Sequence, residues 1–205
     1  MNALIDVWSD YVCPFCYLEE RVLDRLARES DHKIEINWRA FELRPEPVPT
    51  LDPRGEYLTD IWERAVYPMA HDRGMNLQLP PIQPRSRLAL EAVEFAKANG
   101  EFAQMHSAIF KAFFEEGRDI GDLETIVQIG QSIEVDTDAL RKALVRGEFR
   151  ARVLESERLA MRLGISGVPA ILIRREGEPI ESAVHVSGAQ PYEQLRAALE
   201  HLLGK

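Results

Sequence analysis

The stretch Ser9-Asp10-Tyr11-Val12-Cys13-Pro14-Phe15-Cys16-Tyr17 holds both cysteines of a 205-residue chain and lies where an apolar strand gives way to an amphipathic helix. Sulfur attacks as the thiolate, and the unpaired N–H groups at a helix start favour negative charge. The first sulfur is therefore expected to ionise below the ordinary thiol range. Cys13 is the candidate nucleophile. Cys16 follows almost one helical turn later, close enough to attack a mixed disulfide at Cys13, which makes it the candidate resolving thiol. The rival chemistry is zinc, which usually takes four ligands, whereas His32, His71, His106, His185 and His201 are scattered with no pair at ligand spacing. No metal is expected, and the pair reads as a redox device.

Working outward, Ala3 to Trp8 is mostly apolar, as suits a strand buried on both faces, with Asp6 as the anomaly. On the other side Leu18, Val22, Leu23, Leu26 and Ala27 recur at helical spacing and predict a helix from Pro14 to Glu29, with proline favourably placed in its first turn. Ile34, Ile36 and Trp38 then alternate with Lys33, Glu35 and Asn37 in a second strand. Strand, helix, strand favours a parallel pair with a right-handed crossover. The proline-rich passage Arg44-Pro45-Glu46-Pro47-Val48-Pro49 can continue neither element and is taken as a domain boundary.

From Pro53 to Leu163 the pattern is helical, with stripes such as Leu88, Ala92, Phe95, Ala96 and Met105, Ile109, Phe113 punctuated by Gly74, Gly100, Gly117, Gly130 and Gly147. A helix ending at Gly164 returns the chain to strand character. Ala170 to Ile173 and Glu181 to Val186 read as a hairpin joined through Arg174 to Pro179, and a last helix carries Leu195, Leu199, Leu202 and Leu203. These boundaries predict a discontinuous domain of residues 1–48 and 148–205 interrupted by an all-helical domain of residues 49–147.

Composition narrows the function classes. At 45% hydrophobic and 29% charged residues the chain reads as an ordinary globular protein. The formal net charge of −9, with no polybasic run, argues against nucleic acid and anionic lipid as partners. No stretch approaches the roughly 18 uninterrupted apolar residues of a membrane span. Met1 is followed at once by strand-like residues rather than a basic and apolar leader, so a cytoplasmic location is expected. In a reducing compartment a lone C-x-x-C pair points to catalysis or metal binding rather than structure.

The order strand-helix-strand, helical block, helix-strand-strand-helix is that of a thioredoxin fold, an α/β fold with a mixed central sheet flanked by helices, carrying a large helical insertion. Ser9 to Tyr17, Gly164-Ile165-Ser166-Gly167-Val168-Pro169-Ala170 and Val186-Ser187-Gly188-Ala189-Gln190-Pro191 resemble, in the same order, three motifs of the DsbA-like thioredoxin family, particularly its FrnE-type branch. The resemblance implies a cis peptide before Pro169 at the start of a strand beside Cys13. It also implies a substrate-binding edge at Gly167, Val168 and Pro169, where the Val168 backbone is free to pair with an extended peptide or with glutathione. Pro14 and Phe15 complete the expected substrate contacts, and Tyr11 and Tyr17 are expected on the rim. Asp6-Val7-Trp8 resembles the stretch carrying the buried acid of thioredoxins, so Asp6 is a candidate proton shuttle for Cys16, with an ion pair to Lys33 or Arg39 as its other reading. The spacing from Asp6 to the cysteine is one residue longer than in thioredoxins. The dipeptide Pro14-Phe15 departs from the Pro-Trp and Pro-His found in relatives, so their redox potentials do not carry over.

The function expected is thiol–disulfide exchange with protein or small-molecule thiols and disulfides. A redox-active Cys13–Cys16 disulfide takes the place of a tightly bound cofactor, and glutathione is a candidate co-substrate. Two alternatives stay open: a glutathione-dependent isomerase or transferase of the same fold, and a chaperone-like peptide binder. The oligomeric state is left as monomer or homodimer.

Overall fold

A computed structural model describes residues 2–204. Contacts divide the chain into one unit formed by residues 1–41 and 156–205 and a second formed by residues 42–155. In the first unit the apolar run at the N-terminus forms β1 (Asn2–Ser9) and the amphipathic segment after it forms α1 (Pro14–Glu29). β2 (Lys33–Ala40) then lies parallel to β1, from Asn2 opposite Lys33 to Ser9 opposite Ala40. The chain returns to this unit within α8 (Arg150–Arg162) and continues through β3 (Ala170–Arg175), β4 (Val184–Ser187) and α9 (Tyr192–Leu203). Both β3 and β4 are antiparallel to their neighbours, giving the mixed order β2-β1-β3-β4.

Residues opposed in the β1–β3 register share a face, and alternation sends their chain neighbours to the other. Trp8 and Leu172 lie on the face covered by Ala160 of α8, in a cluster completed by Ile165 and Ala170. Ser156 ties α8 to this sheet twice: its carbonyl accepts the Trp8 Nε1–H at 3.1 Å, and its hydroxyl donates to the Ala40 carbonyl at 2.8 Å. Gly164, at φ +74°, ends α8 in a left-handed conformation that a side chain would strain. The second hairpin strand is shorter than its sequence suggests. Ile180–Ser182 forms a 3-10 turn after Pro179, in which the Ser182 hydroxyl returns to the Pro179 carbonyl at 2.8 Å, so pairing starts only at Val184.

The second unit comprises α2 (Glu56–Ile61), α3 (Tyr67–Asp72), α4 (Arg87–Ala98), α5 (Phe102–Phe114), α6 (Leu123–Ser132), α7 (Thr137–Arg146) and the start of α8. A π-turn, Trp62–Val66, joins α2 to α3. Pro68 follows at the head of α3 with no N–H to give the preceding turn, and the wider π-turn accommodates that missing donor. Asp122 and Asp136 cap α6 and α7 by accepting the Thr125 and Ala139 amides at 2.9 and 3.0 Å. Gly130 lets α6 and α7 approach closely, since a Cβ there would stand 2.8 Å from Leu140 Cδ2. The proline-rich passage belongs to this unit. Arg85 donates to the carbonyls of Arg44 and Val48 at 2.8 and 3.0 Å, and Glu42 pairs with Arg87. Contacts therefore place the unit edges at residues 41/42 and 155/156.

Candidate active site

The site grows from the end of β1. Pro14 opens α1 and Cys13 is its N-cap residue, in an extended conformation and without a side-chain capping bond. The Cys13 carbonyl accepts the amides of Cys16 and Tyr17 at 3.1 and 3.4 Å, while the Cys13 amide donates to the Asp10 carbonyl at 3.1 Å. Asp10 is fully buried, and its carboxylate receives the Val12 amide at 3.4 Å. Both cysteines are free thiols, Cys13 5% exposed and Cys16 fully enclosed.

The loop before β3 meets this helix start. The Val168–Pro169 peptide is cis, and the Cys13 thiol donates to the Val168 carbonyl at 3.6 Å. Pro169 is buried, Val168 half-buried and Gly167 exposed. The Gly188 amide donates to the Pro169 carbonyl at 2.8 Å, which fixes the end of β4 against the same loop. A pocket of about 330 Å³ opens here, lined by Gly164 to Pro169 together with His185, Ser187 and Gly188. The structure thus brings Cys13, Cys16, Val168 and Pro169 into one place. Phe15 and Pro14 are half-buried beside the thiols. Tyr11 and Tyr17, expected on an exposed rim, are instead 3% and 5% exposed and pack inward.

The two sulfurs are not equivalent. Burial pushes the Cys16 thiol well above its ordinary value, and the hydrogen bond and charge of Cys13 add to the rise. Two groups oppose it, the Asp10 backbone N–H and the Ser9 hydroxyl. Neither was singled out from sequence. The available signal was positional: Ser9 is the last residue of β1, on the face of Ile5 and Val7, immediately before the turn into α1.

Asp6 sits elsewhere. It opposes Leu172, so it lies on the Trp8 and Leu172 face, the reverse of the one presenting Ser9. Arg39 Nη2 lies 2.7 Å from one carboxylate oxygen and Arg174 Nη2 lies 3.2 Å from the other. Of the two roles left open for Asp6, the pairing with Arg39 is present, and Arg174 is a partner that sequence reasoning missed. With both oxygens held by guanidinium groups, Asp6 is not carried forward as a proton shuttle. The extra residue between Asp6 and the cysteine explains the geometry, because a shift of one along a strand reverses the face.

Among the described residues no group of three or more His, Cys, Asp or Glu side chains could hold a metal ion, and no helix is long and apolar enough to cross a membrane.

Comparison with known proteins places this geometry among relatives. A family model described as a DSBA-like thioredoxin domain matches residues 4–200. The uncharacterized protein YwbO of Bacillus subtilis strain 168 is 33% identical over 147 residues, covering 70% of this chain and 72% of that one. The crystal structure of a probable DsbA oxidoreductase from Streptomyces coelicolor matches with a TM-score of 0.82 at 23% identity, over 99% of this chain and 91% of that one. The cytosolic disulfide reductase DsbM of Pseudomonas aeruginosa, whose structure with GSH is also known, matches at 0.71 and 21% identity over 98% of both chains. At these identities the structural matches are likenesses of fold.

Proposed function

From the premise that the chain belongs to the DSBA-like thioredoxin domain family, we propose that it is a thiol–disulfide oxidoreductase whose redox centre is Cys13-Pro14-Phe15-Cys16. The observation that carries this reading is the Cys13 thiol at the head of α1, hydrogen-bonded at 3.6 Å to the Val168 carbonyl of the loop before β3. A nucleophile at a helix N-terminus gains from the unpaired amides around it, and an extended backbone beside it gives a substrate peptide something to pair with.

In the reductive direction the Cys13 thiolate attacks a substrate disulfide R–S–S–R′. The R′ thiolate leaves and takes up a proton, and Cys13 is left in a mixed disulfide with R. Cys16 then attacks the Cys13 sulfur, R departs as its thiol with the proton Cys16 gives up, and Cys13–Cys16 becomes the disulfide. Two external thiols reduce it again. Glutathione is our candidate for that role and for the small disulfide substrate. The pocket formed by Gly164 to Pro169, His185, Ser187 and Gly188 includes Val168, whose carbonyl accepts the Cys13 thiol, and is our candidate for holding a peptide-like thiol. DsbM, a cytosolic disulfide reductase of similar fold with a structure containing GSH, supports the reductive, cytoplasmic form of the proposal.

The test is a Cys16→Ser variant incubated with oxidised glutathione or a disulfide-bonded peptide. A stable mixed disulfide on Cys13, visible as added mass and lost on adding a thiol, is the expected result. Absence of the adduct in Cys16→Ser, with unimpaired exchange in a Cys13→Ser variant, would overturn the assignment.

A further inference from the structure

We propose that Ser9 is a positioning residue for the resolving thiol: its hydroxyl donates a hydrogen bond to the Cys16 sulfur as that sulfur becomes a thiolate. The inference rests on the exchange reading above and adds a residue to it.

Ser9 closes β1, and strand alternation puts its side chain on the face of Ile5 and Val7, opposite Asp6 and Trp8. The residue is 4% exposed, and its Oγ is buried with no hydrogen-bond partner among the described residues. A buried hydroxyl left unpaired is costly, so its surroundings are expected to use it at some stage of the cycle. Its backbone is held in place, the Ser9 carbonyl accepting the Phe41 amide at 3.1 Å. The Ser9 hydroxyl and the Asp10 backbone are the two hydrogen-bonding groups that act on the Cys16 thiol to favour its thiolate. Asp10 is anchored in turn by the amides of Cys13 and Val12. Two donors from the end of β1 therefore converge on a sulfur buried away from water, while Cys13 is the titratable neighbour acting against its ionisation.

A neutral Cys16 thiol makes little demand on a donor, but a Cys16 thiolate does, since charged acceptors form the stronger hydrogen bonds. In resolution, Cys16–SH and Cys13–S–S–R become Cys13–S–S–Cys16 and R–SH. The sulfur–sulfur bond to R breaks, the bond between the two cysteines forms, and the proton lost by Cys16 ends on the departing R thiolate. Ser9 keeps its own proton and stabilises the charge at the moment of attack.

The experiment uses a Cys13→Ser background, in which Cys16 is the one remaining cysteine. Thiolate absorbance is followed against pH with Ser9, Ser9→Ala and Ser9→Thr. Loss of the donor is expected to raise the titration midpoint by about one pH unit, with threonine restoring it. In the protein with both cysteines, resolution of a Cys13–glutathione mixed disulfide at neutral pH should slow about threefold in Ser9→Ala. Thiolate becomes tenfold scarcer while its nucleophilicity partly recovers, and threonine should again restore the rate. Midpoint and rate both unchanged by alanine would overturn the inference, as would threonine behaving like alanine. Failure of the unmodified protein to form or resolve the mixed disulfide would instead overturn the exchange reading, and the titration would still decide the role of Ser9.

Discussion

The centre of the sheet and the interior of the helical unit each bury a titratable side chain, and they deal with it in opposite ways. Asp6, fully buried in β1, is held between the guanidinium groups of Arg39 and Arg174. His106, 3% exposed in α5, gives its charge up: burial, aided by the positive charge of Lys97, lowers its pKa to about 3. The difference follows from what each type of element supplies. Strands on either side of Asp6 deliver long side chains to the same face two residues along from Asn37 and Leu172, its register partners. A helix delivers residues four apart, and here these are Phe102, stacked on the imidazole at 4.9 Å, and Phe110, edge to face at 5.0 Å. These neighbours pack against the ring without replacing the water that an imidazolium would lose on burial.

The most severe way to break the comparison is Asp6→Ala. Removing the central carboxylate leaves two guanidinium groups facing each other, with side chains only 29% and 14% exposed. Breaking a buried ion pair from one side typically costs 3–5 kcal/mol. Because both arginines retain some access to water, about 3 kcal/mol is expected, read as a lowered urea midpoint. Disulfide exchange per folded molecule should be unchanged, since the carboxylate lies on the face away from Ser9. A variant that stays stable but resolves mixed disulfides slowly would return Asp6 to the chemistry.

His106 sharpens the other side through pH. Unfolded, its imidazole takes a proton near pH 6.5; folded, it does so only near pH 3. Between those values the unfolded chain binds more protons, so stability falls as pH falls, by up to about 1.4 kcal/mol per pH unit from this group. Lowering the pH from 6.5 to 4 should therefore cost roughly 3 kcal/mol from this group. His106→Leu, close in volume, should remove that part of the acid slope while costing less than about 1.5 kcal/mol at pH 7.5. An identical acid slope in both proteins would mean that the folded state protonates His106 readily.

These residues also separate what was legible in the sequence from what was not. The run Ala3 to Trp8 and the helical spacing after Pro14 announced β1 and α1, because local periodicity and a proline at the first turn leave few alternatives. Asp6 was visible as an anomaly and Arg39 as a partner within the same strand-helix-strand unit. Arg174 was not, standing 168 residues away on a strand whose register no local pattern records. Ser9 was missed for a related reason. A serine at a strand end carries no periodic signal, and its proposed role depends on the turn into α1 that follows it. The inward packing of Tyr11 and Tyr17 likewise depends on tertiary neighbours that the motif alone does not specify.

Between a paired charge and a discharged ring lies a third solution, the neutral bridge, and Ser156 tests its worth. Its hydroxyl donates to the Ala40 carbonyl at 2.8 Å while its own carbonyl accepts the Trp8 indole N–H at 3.1 Å. Ser156→Ala removes the first bond and leaves the second, because the second uses the backbone. No charge is stranded, and the carbonyl that loses its donor lies at the end of an edge strand. The expected loss is about 1 kcal/mol, the ordinary net value of one hydrogen bond, with no change in acid slope and no change in thiol reactivity. A loss near that of Asp6→Ala would mean that the bridge positions α8 on the sheet cooperatively. The ranking by charge would then give way to one by how many elements a side chain joins.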